Sequence, residues 1–141
     1  MSDIIHLEFN VAGNNFASAG TATSHVKDTL KNLGVPNADI RRIAIAMYEA
    51  EINMVIHGGG GKVYVDIDAD KIEVLLIDKG KGIENIELAM QPGWSTASED
   101  IRIMGFGAGM GLPNIKKYTD VFNIESEVGQ GTKVYLKVNF G

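Results

Sequence analysis

The sequence predicts an α+β fold, a two-layer sandwich in which helices cover one face of a mixed, mostly antiparallel sheet of about five strands. The first observation is a period-2 alternation of apolar and polar residues near the N-terminus, which is typical of a half-buried strand. The second is the pair of long segments with helical periodicity that follows it. The third is that β-rich segments occur in pairs joined by short turns, so the predicted order of elements is βααββααββ.

The N-terminal half is predicted to contain one strand and two helices. Apolar and polar residues alternate over about 4–11, which predicts the strand. An amphipathic pattern over 14–33 is followed by a glycine and a proline, which are helix stop signals, and it predicts the first helix. The second helix is predicted to run from an N-cap at Asn37 to about His57, where a run of glycines interrupts it.

The C-terminal half is predicted to contain two hairpins with two helices between them. The β-rich segments 62–68 and 71–78 predict the first hairpin. A short helix near 84–90 and a further helix over about 112–119 follow, separated by a long polar loop. The segments DVFNIES and TKVYLKVNF, on either side of the turn EVGQG, predict the second hairpin.

Composition restricts the class of protein. The 141 residues, 45% hydrophobic and 22% charged, have globular composition and suit about one domain, so we expect a single domain over 1–141. The chain has no cysteine, which excludes disulfides and thiolate metal sites. A net charge of −5 argues against a surface that binds nucleic acid directly. Since we find neither a signal peptide nor a membrane span, we expect a cytoplasmic protein that does not contact the membrane.

The second predicted helix carries a polar stripe. Glu49, Asn53 and His57 are spaced four residues apart, so they lie on one face of the helix. Because apolar residues flank the stripe on both sides, it is not simply the solvent-exposed face. A carboxylate beside an amide in this setting suits a general base next to a ligand of Mg²⁺, for which an amide oxygen is a hard donor. The same spacing also suits a helix face that hydrogen-bonds to a neighbouring strand.

The segment LLIDKGKGI places an acidic residue at the end of an apolar strand. Asp78 is followed by Gly80 and Gly82, which allow a sharp turn with little side-chain bulk. A flat ligand could therefore approach the carboxylate, and an Asp78 that accepts a hydrogen bond from an exocyclic amine would specify adenine. A simple turn at the end of a strand explains the same residues.

The segment MGFGAGMGLPNIKK, residues 104–117, has glycine at every second position just before a predicted helix. These glycines would let backbone N–H groups approach phosphate oxygens, and Pro113 begins a helix whose positive end faces the same place. Neither the P-loop consensus nor the dinucleotide-binding fingerprint is present. The run therefore predicts either an anion cradle or a flexible hinge.

Four features follow one another along the chain: the polar helix stripe, the Asp-x-Gly-x-Gly turn, the glycine run and the segment GQGTKV. In this order, their combination resembles a known superfamily. It is the GHKL superfamily of gyrase, heat-shock chaperone, histidine-kinase and mismatch-repair ATPases, which share the histidine-kinase-like ATPase, or Bergerat, fold. Within it, the sequence is most similar to the small bacterial serine/threonine kinases that act as anti-sigma factors or as switch kinases in partner-switching pathways. The resemblance covers nearly the whole chain and leaves the choice between these two subgroups open.

The resemblance implies a role for each candidate residue at the nucleotide. Glu49 would be the general base and Asn53 the Mg²⁺ ligand. Asp78 would recognise the adenine amine, helped by Thr132 through water. Arg102, in a lid over about 92–106, would reach the γ-phosphate and stabilise charge during transfer. The other residues that the resemblance implies in nucleotide binding are Gly80, Gly82, Ser95, Thr96, Gly105, Gly107, Gly109, Gly111 and Leu112.

The resemblance further implies ATP, or its product ADP, and Mg²⁺ as cofactors, and it leaves two functions open. As an enzyme, the protein would phosphorylate a serine or threonine of a STAS-domain antagonist protein. As a binding module, it would hold a sigma factor or a PP2C-type phosphatase in a nucleotide-gated complex with little turnover. Glu49 favours the enzyme, because a chain that only binds nucleotide does not need a carboxylate one turn before the metal ligand. A homodimer is a further expectation that the sequence leaves open.

Two other classes of enzyme fit the sequence poorly. A complete histidine kinase needs a dimerising, phosphoaccepting helical hairpin, for which a chain of this length has no room. A metal hydrolase is poorly supported, because the 3 histidines are scattered and the H-E-x-x-H motif is absent.

Overall fold

The structure, a computed structural model, describes residues 4–13, 19–56, 60–80 and 111–141. Within these residues the chain forms five strands and three helices, and every predicted element of this part of the chain is present. The predicted helix near 84–90 lies outside the described residues. The elements are β1 (Ile5–Ala12), α1 (Thr21–Asn32), α2 (Asn37–Ile56), β2 (Gly60–Ile67), β3 (Lys71–Asp78), α3 (Gly111–Tyr118), β4 (Val121–Glu127) and β5 (Gly131–Asn139).

The strands form one open sheet in the order β1-β2-β3-β5-β4, and each pairing is antiparallel. The predicted α+β sandwich is therefore confirmed. β3 is the central strand, with Leu75 opposite Tyr64 of β2 and Tyr135 of β5. Because β3 and β5 are antiparallel neighbours, the end of β3 lies beside the start of β5, and residues far apart in the sequence meet there.

One face of the sheet packs against the helices and forms the core. α2 contacts four of the strands, and both α1 and α3 pack against α2. Complete burial of a large aliphatic side chain stabilises the fold by about 1.5–3 kcal/mol, so this layer supplies most of the driving force. The fully buried side chains include Leu30, Ile43, Met47, Val65, Ile72, Ile115 and Leu136.

α1 begins later than predicted. The amphipathic pattern suggests a helix from residue 14, but Gly20 has φ 93°, a left-handed conformation outside the helical region, and the helix starts at Thr21. Residues 14–18 lie outside the described residues. The predicted end is right: the Val35 N–H donates to the Leu30 carbonyl at 3.1 Å, and the Gly34 N–H donates to the Lys31 carbonyl at 3.1 Å.

α2 begins at the predicted place but with a different cap. The Pro36 carbonyl accepts hydrogen bonds from the Asp39 and Ile40 N–H groups at 3.0 and 3.1 Å, so Pro36 occupies the N-cap position. Asn37, predicted as the N-cap, is instead the first helical residue. None of the helices in the described part of the chain is long and apolar enough to cross a membrane.

Candidate functional site

The first two candidate residues lie on α2, among side chains that are mostly apolar. Glu49 and Asn53 are both half-buried and lie one helical turn apart, about 6 Å along the axis. Their neighbours Ala46, Ala50 and Met54 are buried in the core. The Asn53 side chain forms no hydrogen bond with any described residue, which leaves its amide oxygen available to a ligand. The two described residues of the polar stripe are thus partly buried.

The environment of Glu49 suits a proton acceptor. Burial raises the pKa of the Glu49 carboxyl above its usual value, and a hydrogen bond with the Asn114 side chain on α3 opposes part of this rise. A carboxylate with a raised pKa is a stronger base than an exposed one. Glu49 is thus a half-buried carboxylate with a raised pKa, the kind of group that can serve as a general base.

The end of β3 and the start of β5 form a corner, the β3–β5 corner, made of Asp78, Gly80, Gly131 and Thr132. Asp78 Oδ1 accepts hydrogen bonds from the Gly80 N–H at 2.9 Å and from the Thr132 N–H at 3.1 Å. The second carboxylate oxygen, Oδ2, has no hydrogen bond to a described residue. One oxygen thus orients the carboxylate, and the other can accept a hydrogen bond from a ligand.

Gly131 allows the β3–β5 corner to close. A Cβ atom on Gly131 would lie 2.2 Å from the Asp78 carbonyl oxygen, and its φ of 115° also disfavours a side chain. On the other neighbouring strand, a Cβ atom on Gly61 would lie 2.1 Å from the Ile77 carbonyl oxygen and 2.9 Å from Asp78 Cα. Neither glycine is among the candidate residues predicted from the sequence, although Gly61 stands in the run of glycines after α2 and Gly131 in the segment GQGTKV.

Thr132 holds the corner through both its backbone and its side chain. The Thr132 hydroxyl lies 2.8 Å from the Ser126 hydroxyl across the β4–β5 pair. The Ser126 hydroxyl also donates to the Gly131 carbonyl at 3.1 Å. Thr132 and Asp78, predicted to act together, are therefore in direct contact through the Thr132 N–H.

The last glycine of the run is the first residue of α3. The helix starts at Gly111, and Pro113 stands in its first turn, where the missing N–H costs no helical hydrogen bond. Leu112 and Ile115 are buried in the core and fix α3 against α2. Leu112, implied by the resemblance as a nucleotide-binding residue, is thus part of the core of the protein.

Seven further candidate residues belong to parts of the chain that the structure does not describe. They lie outside the described residues, as do the lid over 92–106 and His57 of the polar stripe, so their roles stay predictions. These residues are Gly82, Ser95, Thr96, Arg102, Gly105, Gly107 and Gly109.

The structure shows a buried carboxylate that the sequence analysis missed. Glu51 on α2 is 1% exposed and accepts hydrogen bonds from the Gly20 N–H at 2.8 Å, the Thr23 N–H at 3.0 Å and the Thr23 hydroxyl at 2.8 Å. It thereby caps the N-terminus of α1, where Gly20 has no side chain to do so. An acidic residue within the apolar helix segment EAEINMVI is the signal that could have indicated it.

The described residues fit a nucleotide-bound Mg²⁺ better than a metal held by protein side chains alone. No group of three or more His, Asp or Glu side chains in the described part of the chain is placed to hold a metal ion. Mg²⁺ usually keeps several water ligands and binds through one or two side chains together with substrate phosphates. The half-buried amide oxygen of Asn53 fits that pattern.

Comparison with known proteins identifies the family. Residues 14–138 match the family model for the histidine kinase-like ATPase domain. The chain therefore belongs to the histidine kinase-like ATPase family. The match spans α1 to β5, so it includes both Glu49 with Asn53 and the β3–β5 corner.

Individual relatives are bacterial regulators. The chain is 34% identical to an anti-sigma F factor of Clostridium beijerinckii, over 72% of this chain and 72% of that protein. It is 30% identical to the serine/threonine-protein kinase RsbT of Bacillus subtilis, over 77% of this chain and 78% of that protein. The resemblance to anti-sigma-factor and switch kinases is thus confirmed.

A solved structure supports the fold. The crystal structure of the RsbU and RsbW domains of a protein from Mycobacterium tuberculosis superposes with a TM-score of 0.64 at 18% identity. The match covers 98% of this chain but 32% of that one, so this chain spans about a third of the crystallised protein. At this identity the likeness shows the shared fold alone.

Proposed function

We propose that this protein is an ATP-dependent serine/threonine protein kinase of a bacterial partner-switching pathway, and that its substrate is a STAS-domain antagonist protein. The observation that carries the proposal is the half-buried Glu49, whose pKa is raised by burial, one helical turn before Asn53, whose side chain forms no hydrogen bond with a described residue. The similarity to the kinase RsbT and to anti-sigma F factors supports the same class of reaction. We further propose that residues 1–141 act as a single domain.

The β3–β5 corner would bind the adenine of ATP. Because Asp78 Oδ1 is held by the Gly80 and Thr132 N–H groups, Oδ2 is directed away from them and can accept a hydrogen bond from the exocyclic amine. Thr132 would add a second contact through water. Adenine recognition therefore needs no rearrangement of the described part of this corner.

Asn53 and the residues after β3 would hold the phosphates. Mg²⁺, when bound with ATP, neutralises charge that develops on the phosphates during transfer, and Asn53 would hold it through the amide oxygen. Arg102 would stabilise charge on the γ-phosphate. Gly82, Ser95, Thr96, Gly105, Gly107, Gly109 and Gly111 would complete the phosphate and adenine contacts.

Glu49 would accept the proton of the attacking hydroxyl. As the serine or threonine oxygen bonds to the γ-phosphorus, the bond to the β–γ bridging oxygen breaks, ADP leaves, and the hydroxyl proton moves to the Glu49 carboxylate. General base catalysis of this kind contributes about 10²–10⁴-fold in rate. Because the lid over 92–106 would exclude water, hydrolysis of ATP without the protein substrate is expected to be slow.

A second function is a nucleotide-gated binding module, and the name of the Clostridium beijerinckii relative, an anti-sigma F factor, favours it. In that case the protein would hold a sigma factor, or a PP2C-type phosphatase, in an ATP-dependent complex with little turnover. A homodimer would be compatible with both functions. The two functions differ in whether Glu49 is needed for anything beyond binding.

The test is the intact mass of a STAS-domain protein encoded beside this chain's gene, measured after incubation with Mg-ATP and this protein. We expect a gain of one phosphoryl group with the wild type and none with Glu49→Ala. Glu125→Gln, on an exposed position of β4, is the control and is expected to behave as the wild type. Normal transfer by Glu49→Ala would show that Glu49 is not the base, whereas a stable complex without transfer would favour the binding module.

A further inference from the structure

A serine on β4 lies next to the β3–β5 corner, and neither the sequence analysis nor the family comparison assigns it a role. The Ser126 hydroxyl is hydrogen-bonded to the Thr132 hydroxyl and to the Gly131 carbonyl. We infer that Ser126 is a positioning residue for recognition of the nucleotide base: it accepts the hydroxyl proton of Thr132, so that Thr132 faces the ligand only as an acceptor. The inference rests on the proposed function, in which Asp78 and Thr132 bind adenine.

Ser126 stands beside Thr132 on the face of the sheet that the helices cover. The two residues are paired across β4 and β5, so their side chains point to the same face. Val134, two residues after Thr132, is buried in the core on that face, as is Leu76, two residues before Asp78. The side chains of Asp78, Thr132 and Ser126 therefore form a half-buried polar row at the margin of the core, across three neighbouring strands.

The direction of each hydrogen bond follows from what each atom can donate or accept. A carbonyl oxygen can only accept, so the bond of 3.1 Å from the Ser126 hydroxyl to the Gly131 carbonyl uses the single proton of that serine. The bond of 2.8 Å between the two hydroxyls then uses the Thr132 proton, which points to Ser126. The Thr132 oxygen therefore keeps a lone pair for a ligand but has no second proton to offer it.

The two described side chains that would meet the base therefore present acceptors. Asp78 Oδ2 has no hydrogen bond to a described residue, and an ionised carboxylate can only accept. Thr132 adds a second acceptor, to which a bridging water can donate. This pair fits a base with an amine at position 6, as in adenine, and disfavours one with a carbonyl oxygen there, because two acceptors would then meet without a proton between them. Ser126 thus has a share in the selection of adenine over 6-oxo purines.

The experiment measures the Kd of Mg-ATP and of Mg-ITP by competition against a fluorescent ATP analogue. ITP carries a carbonyl oxygen where ATP carries the amine. Ser126→Ala leaves the Thr132 hydroxyl able to turn and to donate, so we expect ATP to bind about threefold to tenfold more weakly, the effect of about one hydrogen bond. ITP is expected to bind no more weakly than it does to the wild type. The ratio of the two affinities is the readout, because a merely structural change would weaken both alike.

Matched variants test whether the hydroxyl is responsible. Ser126→Thr keeps the hydroxyl and is expected to keep the wild-type ratio. Ser126→Cys, whose thiol is a weak donor and a weak acceptor, is expected to lower the ratio, and it serves if Ser126→Ala does not fold. Ser24→Ala, at an exposed position of α1, is the control and should change neither affinity. Circular dichroism and thermal unfolding confirm that each variant folds.

A combined variant separates positioning of Thr132 from any other role of Ser126. Thr132→Val removes the hydroxyl but keeps the shape of the side chain, so it should itself lower the ratio of the ATP and ITP affinities. In this background, Ser126→Ala is expected to change the ratio no further, because the group that Ser126 positions is absent. A further fall of similar size would show that Ser126 acts by another route, and it would overturn the inference.

The outcomes are distinguishable from those for the proposed function. Binding of ATP by the wild type, with an unchanged ratio in Ser126→Ala and Ser126→Cys, overturns the inference alone. An equal loss of affinity for both nucleotides does the same, because it would indicate a structural role. Equal affinity of the wild type for ATP and ITP would show that the corner does not select an amine, and it also overturns the inference. A wild type that binds no ATP overturns the proposed function, and the inference with it.

Discussion

The two ends of the proposed nucleotide site differ in the kind of structure that holds them. At the β3–β5 corner, Asp78 is oriented by backbone N–H donors and enclosed by glycines of the neighbouring strands. On the helices, Glu49 lies half-buried on α2, against which α3 packs. The corner is therefore tied to the register of the sheet, whereas Glu49 depends on the contact between two helices. We expect changes to the glycines of the corner to alter folding and binding together, and changes around Glu49 to alter the rate.

The largest effect is expected from Gly131→Ala. Its Cβ would lie 2.2 Å from the Asp78 carbonyl oxygen at a φ of 115°, so both a steric clash and backbone strain oppose the substitution. We expect a loss of at least about 3 kcal/mol in the free energy of unfolding, with loss of ATP binding. Urea unfolding and fluorescence titration with an ATP analogue measure the two quantities.

Gly129→Ala is the matched control for this change. Gly129 lies in the same turn with φ 84°, but a Cβ there would meet nothing within 4 Å, so only strain of about 1–2 kcal/mol is expected. ATP affinity should then be unchanged in the folded protein. Equal effects of the two substitutions on ATP affinity would show that closure of the corner is unimportant.

The next largest effect is expected from Glu51→Gln, about half a turn of α2 away from both Glu49 and Asn53. The substitution replaces a carboxylate oxygen by an amino group that faces the Gly20 and Thr23 donors, so at least one buried donor loses its acceptor. We expect a loss of about 2 kcal/mol in the free energy of unfolding. The rate of transfer, measured where the variant is still folded, should change little. A variant with unchanged stability and lost transfer would contradict this assignment and place Glu51 in the active site.

These examples also show what the sequence could and could not predict. The order of the elements along the chain and the C-terminal end of α1 follow from local patterns such as alternation, helix stop signals and turns. The spacing of Glu49 from Asn53 and the place of Asp78 at a strand end are local too. In contrast, Glu51 meets Gly20 across 31 residues, because α1 packs against α2. A single sequence shows no sign of which residues such distant side chains will contact.

A smaller effect, on binding alone, is expected from Asp78→Asn. The asparagine carbonyl can keep the hydrogen bonds that Asp78 Oδ1 accepts from Gly80 and Thr132, so the corner should stay folded. Its amino group then faces the exocyclic amine of adenine, and two donors meet without an acceptor. We expect ATP affinity to fall about tenfold to a hundredfold with little change in stability. Isothermal titration measures the affinity.

Asp70→Asn is the control for Asp78→Asn, since Asp70 is exposed at the opposite end of β3. It is expected to bind ATP as the wild type does. If Asp78→Asn also binds ATP normally, Asp78 is not the adenine contact, and the glycine turn after β3 serves only to end the strand.

The smallest effect is expected from Asp120→Asn. Asp120 lies beside the end of β5 that is opposite to the β3–β5 corner. A hydrogen bond from the Asn139 N–H at 2.6 Å, and then the Arg42 guanidinium at 3.1 Å, lower the pKa of the Asp120 carboxyl. A lowered pKa means that the folded state favours the ionised form. The resulting stabilisation is fully present above the ordinary pKa of an aspartate and disappears as the pH falls through the lowered one. Because the group is exposed, it amounts to about 0.5 kcal/mol.

Asp120→Asn should therefore lower stability slightly at neutral pH and reduce the steepness of acid unfolding, with no change in ATP affinity. The measurement is thermal unfolding between neutral pH and the acid limit of the fold. Asp28→Asn, at an exposed position of α1 without an ion pair among the described residues, is the control and should leave the pH dependence unaltered. If Asp120→Asn instead weakens ATP binding, the ends of β5 are coupled. The corner would then depend on more of the sheet than the hydrogen bonds around Asp78.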